Sequence, residues 1–406
     1  MNKLKIINDP IYGFVNIPNE LLFDIIQHPY FQRLRRISQM GLSYLVYPGA
    51  HHTRFHHAIG AMHLMQTAMY VLRSKDVEIT SKEEEAALIA ILLHDIGHGP
   101  FSHALEYGIF KTISHEEISL ALMQKLNEEF EGKLSLAIQI FEAKYHKKFL
   151  TQLISSQIDV DRLDYLRRDS FYSGVVEGQI NSERLIKMMD VRDNEIVIEE
   201  KGIYSIEKFI ISRRLMYWQV YYHKTSLMLE KVMSKILQRA QYLIKQNKPI
   251  DIDKHFHYLL ANDFEKLDDK SIDIFTKLDD SDIIFHLKKW INNPDFVLSY
   301  LCKMVINREH LNKIHIQKDA FSSKEIQEIQ LKTLQQFPIS KNDLPYLIYN
   351  EQIVNQAYNS ENHPIRLLKK SKKIIEFSEA SDQLNIQALS HPVTKFYLSY
   401  PRIKKL

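Results

Sequence analysis

Apolar residues recur three and four positions apart through most of this chain, which is the spacing of helices with one buried face. Ser81, with Glu84 three residues later, predicts a capping box at the start of one such helix. The predicted helices run from Asn19 to a break at Pro29, from the His51–Gly60 segment to Leu72, over Ser81–Leu93, from His115 to about Phe130, from Ile203 to about Lys245, and over Ile272–Asn307 with a break near Pro294.

Alternation of apolar and polar residues, which predicts strands, is confined to short stretches. Lys3–Ile17 predicts a hairpin or extended arm, and Val191–Glu200, divided by Asp193-Asn194, predicts a small hairpin. After Tyr346, alternating runs around a helix near Ser381–Leu389 predict a small α+β subdomain. We therefore expect a mainly α fold with a small β-hairpin and a C-terminal α+β subdomain.

Composition narrows the class of protein. The chain has 406 residues and 45% hydrophobic content, enough for sizeable cores, and its net charge of +3 only weakly favours anionic partners. One cysteine, Cys302, and no recognisable leader predict a reducing, cytoplasmic setting. No apolar run is long enough to span a bilayer, so no membrane partner is expected. Arg33, Arg35 and Arg36 interleave with apolar residues and predict a solvated basic helix face, with phosphate binding as the alternative.

The segment Ile91–His103 places three histidines and an aspartate directly behind an apolar run. His94 and Asp95 would emerge side by side at the end of a buried helix, where an unpaired polar group costs roughly 2–7 kcal/mol. They therefore need a hydrogen-bond partner or a cation. A single His-Asp pair is more often a satisfied core or capping pair, so the pair alone leaves both interpretations open.

Residues from distant segments extend this pair into a candidate metal site. Arg54 and His57 share a helix face, and Asp161, Tyr165 and Asp169 recur every four residues along one helix stripe. If the side chains His57, His94, Asp95 and Asp161 converge, they form a mixed nitrogen and oxygen site suited to Mn, Fe, Zn or Ni rather than Ca. Basic side chains nearby would then hold a polyphosphate; these are Arg54, Arg162 and Lys224.

These motifs resemble the HD superfamily of metal-dependent phosphohydrolases, and more narrowly the catalytic core of its SAM-and-HD-domain deoxynucleoside triphosphate triphosphohydrolases. The resemblance also rests on Asn8–Gly13, Phe31–Arg35 and Tyr47–Ala50, and extends to Lys224. It implies an HD catalytic core with the accessory SAM module absent, while the pattern of the remaining chain predicts a helical extension and a small α+β subdomain. The expected boundaries are residues 1–250, 251–340 and 341–406.

The resemblance also implies roles for particular residues. The metal ligands would be His57, His94, Asp95 and Asp161. The catalytic residues would be Arg54 on the α-phosphate, with His98 and His103 beside it and His115 in the same cluster; His103 would be the acid for the leaving 5′ oxygen. The other substrate-binding residues would be Gln39 and Asp169 on the sugar 3′-hydroxyl, Tyr165 against C2′, and Arg162, Arg213, Tyr221 and Lys224 around the phosphates, sugar or base.

The first hypothesis is therefore a dNTP triphosphohydrolase that releases a deoxynucleoside and inorganic triphosphate. One alternative is an HD phosphodiesterase or phosphatase acting on another nucleotide. A second is a nucleotide-sensing or nucleic-acid-binding oligomer with slow turnover, although no nucleic-acid motif is evident. We expect one divalent transition metal, with Mg²⁺ on the substrate phosphates as an additional candidate, and a homodimer or homotetramer. A nucleotide activator is left open, since Gln27 stands near the position where the family has a guanine-binding aspartate, while Gln32 and Arg35 are kept.

Overall fold

A computed structural model of the chain describes residues 5–101, 112–360, 364–382 and 389–403. The fold is mainly α, as predicted. The helices of the first half are α1 (Glu20–Gln27), α2 (Pro29–Gln32), α3 (Arg54–Arg73), α4 (Ser81–Leu93), α5 (His115–Glu129), α6 (Ser135–Phe141), α7 (Lys148–Ile154), α8 (Val160–Ser173) and α9 (Ser182–Met188). Those that follow are α10 (Ile203–Met216), α11 (Lys224–Lys245), α12 (Lys254–Ala261), α13 (Asp269–Phe275), α14 (Asp280–Trp290), α15 (Phe296–Ile306), α16 (Ser323–Gln336) and α17 (Phe377–Ala380).

The strands form three small sheets. They are β1 (Lys5–Asp9), β2 (Gly13–Ile17), β3 (Met189–Arg192), β4 (Glu195–Glu199), β5 (Lys313–Gln317), β6 (Tyr349–Asn355), β7 (Arg366–Leu368), β8 (Ile374–Glu376) and β9 (Val393–Tyr400). Strands β1 and β2 pair antiparallel, which confirms the N-terminal hairpin. The second predicted hairpin is also confirmed, because Asp193 and Asn194 adopt positive φ angles of 52° and 64° between β3 and β4.

The C-terminal strands pair with strands from earlier parts of the chain as well as with one another. Strand β7 pairs in parallel with β4, which gives a four-stranded sheet of order β3-β4-β7-β8, and β9 lies between β5 and β6. Strand β5 falls inside residues 251–340, the segment expected to be a helical extension. The three domain boundaries stay a prediction. Residues 383–388 of the helix predicted near Ser381–Leu389 lie outside the described residues.

The single long helix predicted over Ile203–Lys245 is wrong. The chain forms α10 and α11 with a π-helical turn, Tyr217–Tyr221, between them. The His223 side chain then accepts a hydrogen bond from the backbone N–H of Thr225 and begins α11. The backbone stays helical through this turn, since the Tyr222 N–H donates to the Tyr217 carbonyl oxygen at 2.7 Å, and a break of this kind is difficult to detect from apolar spacing. The Ile272–Asn307 helix likewise has a second break, where Asp279 caps α14.

The predicted capping box is displaced by one residue. Thr80, not Ser81, caps α4: its hydroxyl accepts from the Glu83 backbone N–H at 3.2 Å, and the Glu83 carboxylate accepts from the Thr80 N–H at 2.8 Å. Glu84 instead pairs with Arg73. Both registers satisfy the same sequence pattern, and the structure uses the one that buries Glu83.

Glu83 predicts an acid-sensitive contribution to stability. Burial alone would raise its pKa, but hydrogen bonds from Lys147, Thr80 and Tyr145 outweigh burial and lower the pKa from 4.5 to about 2. Because the folded pKa is the lower one, this stabilisation is present above about pH 4.5 and is lost as the pH falls towards 2. Glu83→Gln should lower the free energy of unfolding by about 1–3 kcal/mol at neutral pH.

Urea unfolding at a series of pH values tests this prediction. The difference between the unsubstituted chain and Glu83→Gln should shrink between pH 4.5 and 2. The exposed Glu78 on the preceding segment offers a matched control, and Glu78→Gln should change little. A difference that stays constant over this range would contradict the assignment.

Helices α3, α4 and α8 form the centre of the fold. Helix α3 packs against both α4 and α8, and residues Ala86–Leu93 of α4 are buried on all sides. This packing brings together the beginning of α3, the end of α4 and the beginning of α8. Across the described ranges, no helix combines the length and apolar character needed to cross a membrane.

Candidate active site

The four predicted metal ligands lie together at these three helix ends. The Nε2 atom of His57 lies 3.4 Å from that of His94 and 3.1 Å from Oδ1 of Asp161. The His94 Nε2 lies 3.4 Å from Oδ1 of Asp95 and 3.5 Å from Oδ1 of Asp161. Ligand atoms held at about 2.1 Å by one ion lie roughly 3.0–3.5 Å apart. The spacing of the His57, His94 and Asp161 atoms therefore fits one divalent cation, and Asp95 lies beside them in a second group with His98 and His115 that could also hold an ion.

Hydrogen bonds to the opposite ring nitrogens orient both imidazoles. The Nδ1 atom of His57 lies 2.7 Å from the Asp164 carboxylate, and that of His94 lies 2.7 Å from the Ile91 carbonyl oxygen. Both partners are acceptors, so each Nδ1 carries the proton. The Nε2 lone pairs are thus available to a cation, as in metal sites with a carboxylate–histidine pair.

The electrostatics of the cluster favour positive charge at its centre. Burial opposes protonation of His57, but hydrogen bonds to Asp161 and Asp164 raise its pKa to about 10. Despite burial, the neighbouring imidazoles hold the pKa of Asp161 below its ordinary value, and His94 and Arg54 do the same for Asp95. A bound cation satisfies the same carboxylates in place of a proton. The donor set therefore fits a metal chemically as well as geometrically.

A chain of buried charges fixes Asp164, and so His57. Arg168 donates two hydrogen bonds of 2.9 Å to Asp164 and one of 2.8 Å to Asp9 in the N-terminal hairpin. Gly60 leaves room for this pair, because a Cβ atom there would lie 2.1 Å from atoms of both side chains. Asp164 was not among the predicted site residues, although its place three residues after Asp161 on the helix could have suggested it.

Asp164→Asn should weaken metal binding by about 10- to 100-fold, because an amide holds the Nδ1–H of His57 less firmly than a carboxylate does. A competition titration with a fluorescent chelator measures this affinity directly. Asp76→Asn, at an exposed position after α3, serves as the control. An unchanged affinity in Asp164→Asn would show that this hydrogen bond does not tune the site.

A second group of polar side chains adjoins the metal ligands. The Nε2 atom of His98 lies 3.4 Å from Oδ1 of Asp95, and the His98 and His115 rings stack with centroids 4.0 Å apart. Arg54 forms an ion pair with the other oxygen of Asp95. Burial and the Arg54 charge lower the pKa of His98 to about 3, so this ring is neutral at pH 7. The fourth predicted catalytic residue, His103, lies outside the described residues.

Side chains from distant segments form hydrogen bonds with the backbone of the turn that carries His98. Arg33 donates to the carbonyl oxygens of Ile96 at 3.0 Å and His98 at 2.9 Å, and Asp280 accepts from the backbone N–H of Phe101 at 2.8 Å. The expectation that Arg33 lies on a solvated face or meets phosphate is wrong, since it is 1% exposed. Its guanidinium is buried because these carbonyl groups, arriving from a distant segment, require donors.

The predicted sugar-binding residues gather beside the metal cluster. The Tyr165 ring centroid lies 6.4 Å from that of His57 and 6.3 Å from that of Tyr221. The Tyr221 hydroxyl donates to Asp169 at 2.7 Å. Asp161, Tyr165 and Asp169 thus share one helix, as the four-residue spacing predicts, with Asp161 at the metal end.

The other predicted substrate-binding residues lie in different surroundings. Arg162 pairs with Asp159, the residue that caps α8, and Arg213 lies near Tyr217, with its guanidinium 5.9 Å from that ring. Gln39 pairs through its backbone N–H with the carbonyl oxygen of His52 at 3.0 Å. Lys224, the first residue of α11, lines a separate cavity of about 900 Å³ between α11, β5 and α16.

Comparison with known proteins agrees with this geometry. Residues 54–169 match the HD domain family, and residues 180–282 match the HD associated region. The uncharacterized protein YwfO of Bacillus subtilis is 33% identical over 94% of this chain and 88% of its own length. A crystal structure of a phosphohydrolase from Bacteroides thetaiotaomicron is 50% identical, with a TM-score of 0.95 over 98% of this chain and 100% of that one. The chain belongs to the HD-domain phosphohydrolase family.

Relatives with a named activity cover less of the sequence. The deoxynucleoside triphosphate triphosphohydrolase SAMHD1 homolog of Dictyostelium discoideum is 32% identical over 62% of this chain and 52% of its own length. Human deoxynucleoside triphosphate triphosphohydrolase SAMHD1 is 29% identical over 60% of this chain and 46% of its own. The chain therefore spans about half the length of these relatives.

Proposed function

We propose that this phosphohydrolase converts deoxynucleoside triphosphates into deoxynucleosides and inorganic triphosphate. The observation that carries the proposal is that α8 supplies Asp161 next to His57 and, further along the same helix, Tyr165 and Asp169 next to Tyr221. A metal-bound phosphate and a neighbouring sugar would meet these two groups together. The names of the SAMHD1 relatives support the same substrate class.

The metal would be held by His57, His94, Asp95 and Asp161, with Mn, Fe, Zn or Ni as candidates and Mg²⁺ as a companion of the substrate phosphates. Such a metal would lower the pKa of a bound water to near neutrality and would polarise a phosphoryl oxygen.

The chain's own residues would orient and neutralise the substrate. Arg54, which forms an ion pair with Asp95 at the cluster, would bind the α-phosphate. The neutral His98 ring can donate a hydrogen bond to a phosphate oxygen, with His115 stacked behind it. We assign protonation of the leaving 5′ oxygen to His103. Arg162 and Arg213 would stabilise charge on the departing triphosphate.

Sugar recognition would come from the other side of the site. We propose that Gln39 and Asp169 bind the 3′-hydroxyl, and that Tyr165 packs against C2′ and so disfavours ribose. The Tyr221 hydroxyl, already bound to Asp169, would help to orient that carboxylate.

Product analysis tests the proposed function. The purified chain, reconstituted separately with Mn, Fe, Co, Zn, Ni and Mg, is incubated with four dNTPs and four NTPs, and every product is resolved by anion-exchange chromatography. Deoxynucleoside and inorganic triphosphate are the expected products. Monophosphate or pyrophosphate would favour a phosphodiesterase or phosphatase, and nucleotide binding without turnover would favour a sensing oligomer.

The cavity that Lys224 lines supports a nucleotide activator as a further part of the proposal. Its basic lining residues are Lys224, Lys313, Lys332 and Arg402, and among the described residues that line it none has a carboxylate side chain. Lys313→Glu should abolish stimulation by an added nucleotide while basal turnover is kept, with the exposed Lys318→Glu as control.

We also propose a homodimer or homotetramer, which light scattering coupled to gel filtration would measure. The cytoplasmic location stays a prediction.

A further inference from the structure

His52 is a buried histidine that no part of the proposed mechanism uses. It lies two residues before α3, on a segment that pairs with the chain around Ser38. Its side chain is fully buried, and its Nε2 atom lies 2.7 Å from Oδ1 of Asp169. Because a carboxylate is an acceptor, the imidazole donates this hydrogen bond.

The ring of His52 is fixed in orientation as well as in position. It stacks face to face on Tyr172, with ring centroids 4.4 Å apart and planes 14° from parallel. Tyr172 follows Asp169 by three residues on the same helix, so α8 supplies both the acceptor and the stacking surface. Stacking of this kind restricts rotation of the imidazole and aims its N–H at the carboxylate.

Both oxygens of Asp169 are therefore held by the protein. His52 donates to Oδ1 at 2.7 Å, and Tyr221 donates to Oδ2 at 2.7 Å. Each carboxylate oxygen can accept a second hydrogen bond, so Asp169 can still bind a hydroxyl group. Two donors from different segments leave it one orientation in which to do so.

The backbone of His52 holds the other residue proposed for the 3′-hydroxyl. Its carbonyl oxygen accepts from the Gln39 N–H at 3.0 Å. The Gln39 side-chain oxygen is buried and has no hydrogen-bond partner within the described part of the chain. His52 thus contacts both residues: Gln39, whose side-chain oxygen can still accept a hydrogen bond, and Asp169, whose carboxylate can also accept another one.

We infer that His52 is a positioning residue for recognition of the sugar 3′-hydroxyl: its ring orients Asp169 and its backbone places Gln39. This inference rests on the proposed dNTP hydrolysis and deepens it. His52 makes no described contact with the four metal ligands, so its removal should affect sugar selectivity and leave metal binding intact.

The test compares hydrolysis of dNTPs with that of 2′,3′-dideoxynucleoside triphosphates, which lack the 3′-hydroxyl. His52→Phe keeps a ring to stack on Tyr172 but removes the donor to Asp169. Its preference for the dNTP, as the ratio of kcat/KM values, should fall by about 10- to 100-fold, with KM rising more than kcat falls. His52→Gln, whose amide can donate to Asp169, should restore most of the preference. The exposed His51→Phe is the matched control and should retain it fully.

Metal content and circular dichroism are measured for every variant. If His52→Phe does not fold, His52→Asn, whose amide is one carbon shorter than that of glutamine, takes its place and should lose the preference. A folded, metal-loaded Phe or Asn variant with the original preference would overturn the inference, as would equal loss in His52→Gln. If the unsubstituted chain releases no triphosphate from any dNTP, the proposed function fails and the inference fails with it.

Discussion

Replacing Asp161 with alanine is expected to remove both the bound metal and all turnover. Its Oδ1 atom lies within 3.5 Å of the Nε2 atoms of both His57 and His94, so it closes the ligand set on the side of α8. Without it, two imidazoles and Asp95 remain, and the charge that offsets a divalent cation is halved. Metal affinity should fall by more than about 100-fold, which exceeds the usual effect of a residue that only orients a ligand.

Metal content by mass spectrometry and product release by chromatography measure the two losses separately. Asp24→Ala, at an exposed position on α1, is the control for removal of a carboxylate. A double alanine substitution of His94 and Asp95 should give the same result from the α4 side. Full activity in an Asp161 variant that contains no metal would refute the metal assignment.

Arg54→Ala is expected to lower kcat/KM for a dNTP by about 100- to 1,000-fold, the usual effect of removing one donor to charge that develops in a transition state. Arg54 is 5% exposed and lies against Asp95, so its charge acts in a site largely closed to water. The effect should fall on catalysis more than on folding, since a metal bound at the proposed site would remain as a cationic partner for Asp95.

Arg54→Lys separates charge from geometry. Lysine restores the positive charge but not the planar fork that binds phosphate through two parallel hydrogen bonds, so activity should recover only in part. Steady-state kinetics with metal-saturated protein gives both values. An Arg54→Ala variant with unchanged kcat/KM would place the α-phosphate elsewhere.

The arrangement of site residues within one helix was predictable from the sequence, whereas the contacts between residues of different helices were not. The spacing of Asp161, Tyr165 and Asp169 predicts their common stripe because a helix repeats nearly every four residues. That His57 meets Asp161 depends on how α3 packs against α8, which no local pattern encodes.

Contacts with distant segments also explain what the sequence pattern did not predict. Arg33 fits a solvated amphipathic pattern, yet it is buried because backbone carbonyl groups from another segment need its donors. Lys224 is close in sequence to Tyr221, but it follows the π-turn as the first residue of α11 and lines the cavity between α11, β5 and α16. His52 looked like one of several adjacent histidines, and only the stacking partner on α8 distinguishes it.

The clamp on the turn after α4 has a consequence for how this protein can be divided. Arg33 precedes the segment that matches the HD domain and Asp280 lies at the far end of the HD associated region, yet both satisfy backbone groups of residues 96–101. An excised HD segment would carry every proposed metal ligand and still leave buried carbonyl and amide groups unpaired, at about 1–3 kcal/mol each. The smallest segment that could carry this site is therefore longer than the HD domain. Recombination that exchanged the HD segment alone would transfer the proposed metal ligands without the side chains of Arg33 and Asp280, which hold the backbone beside them.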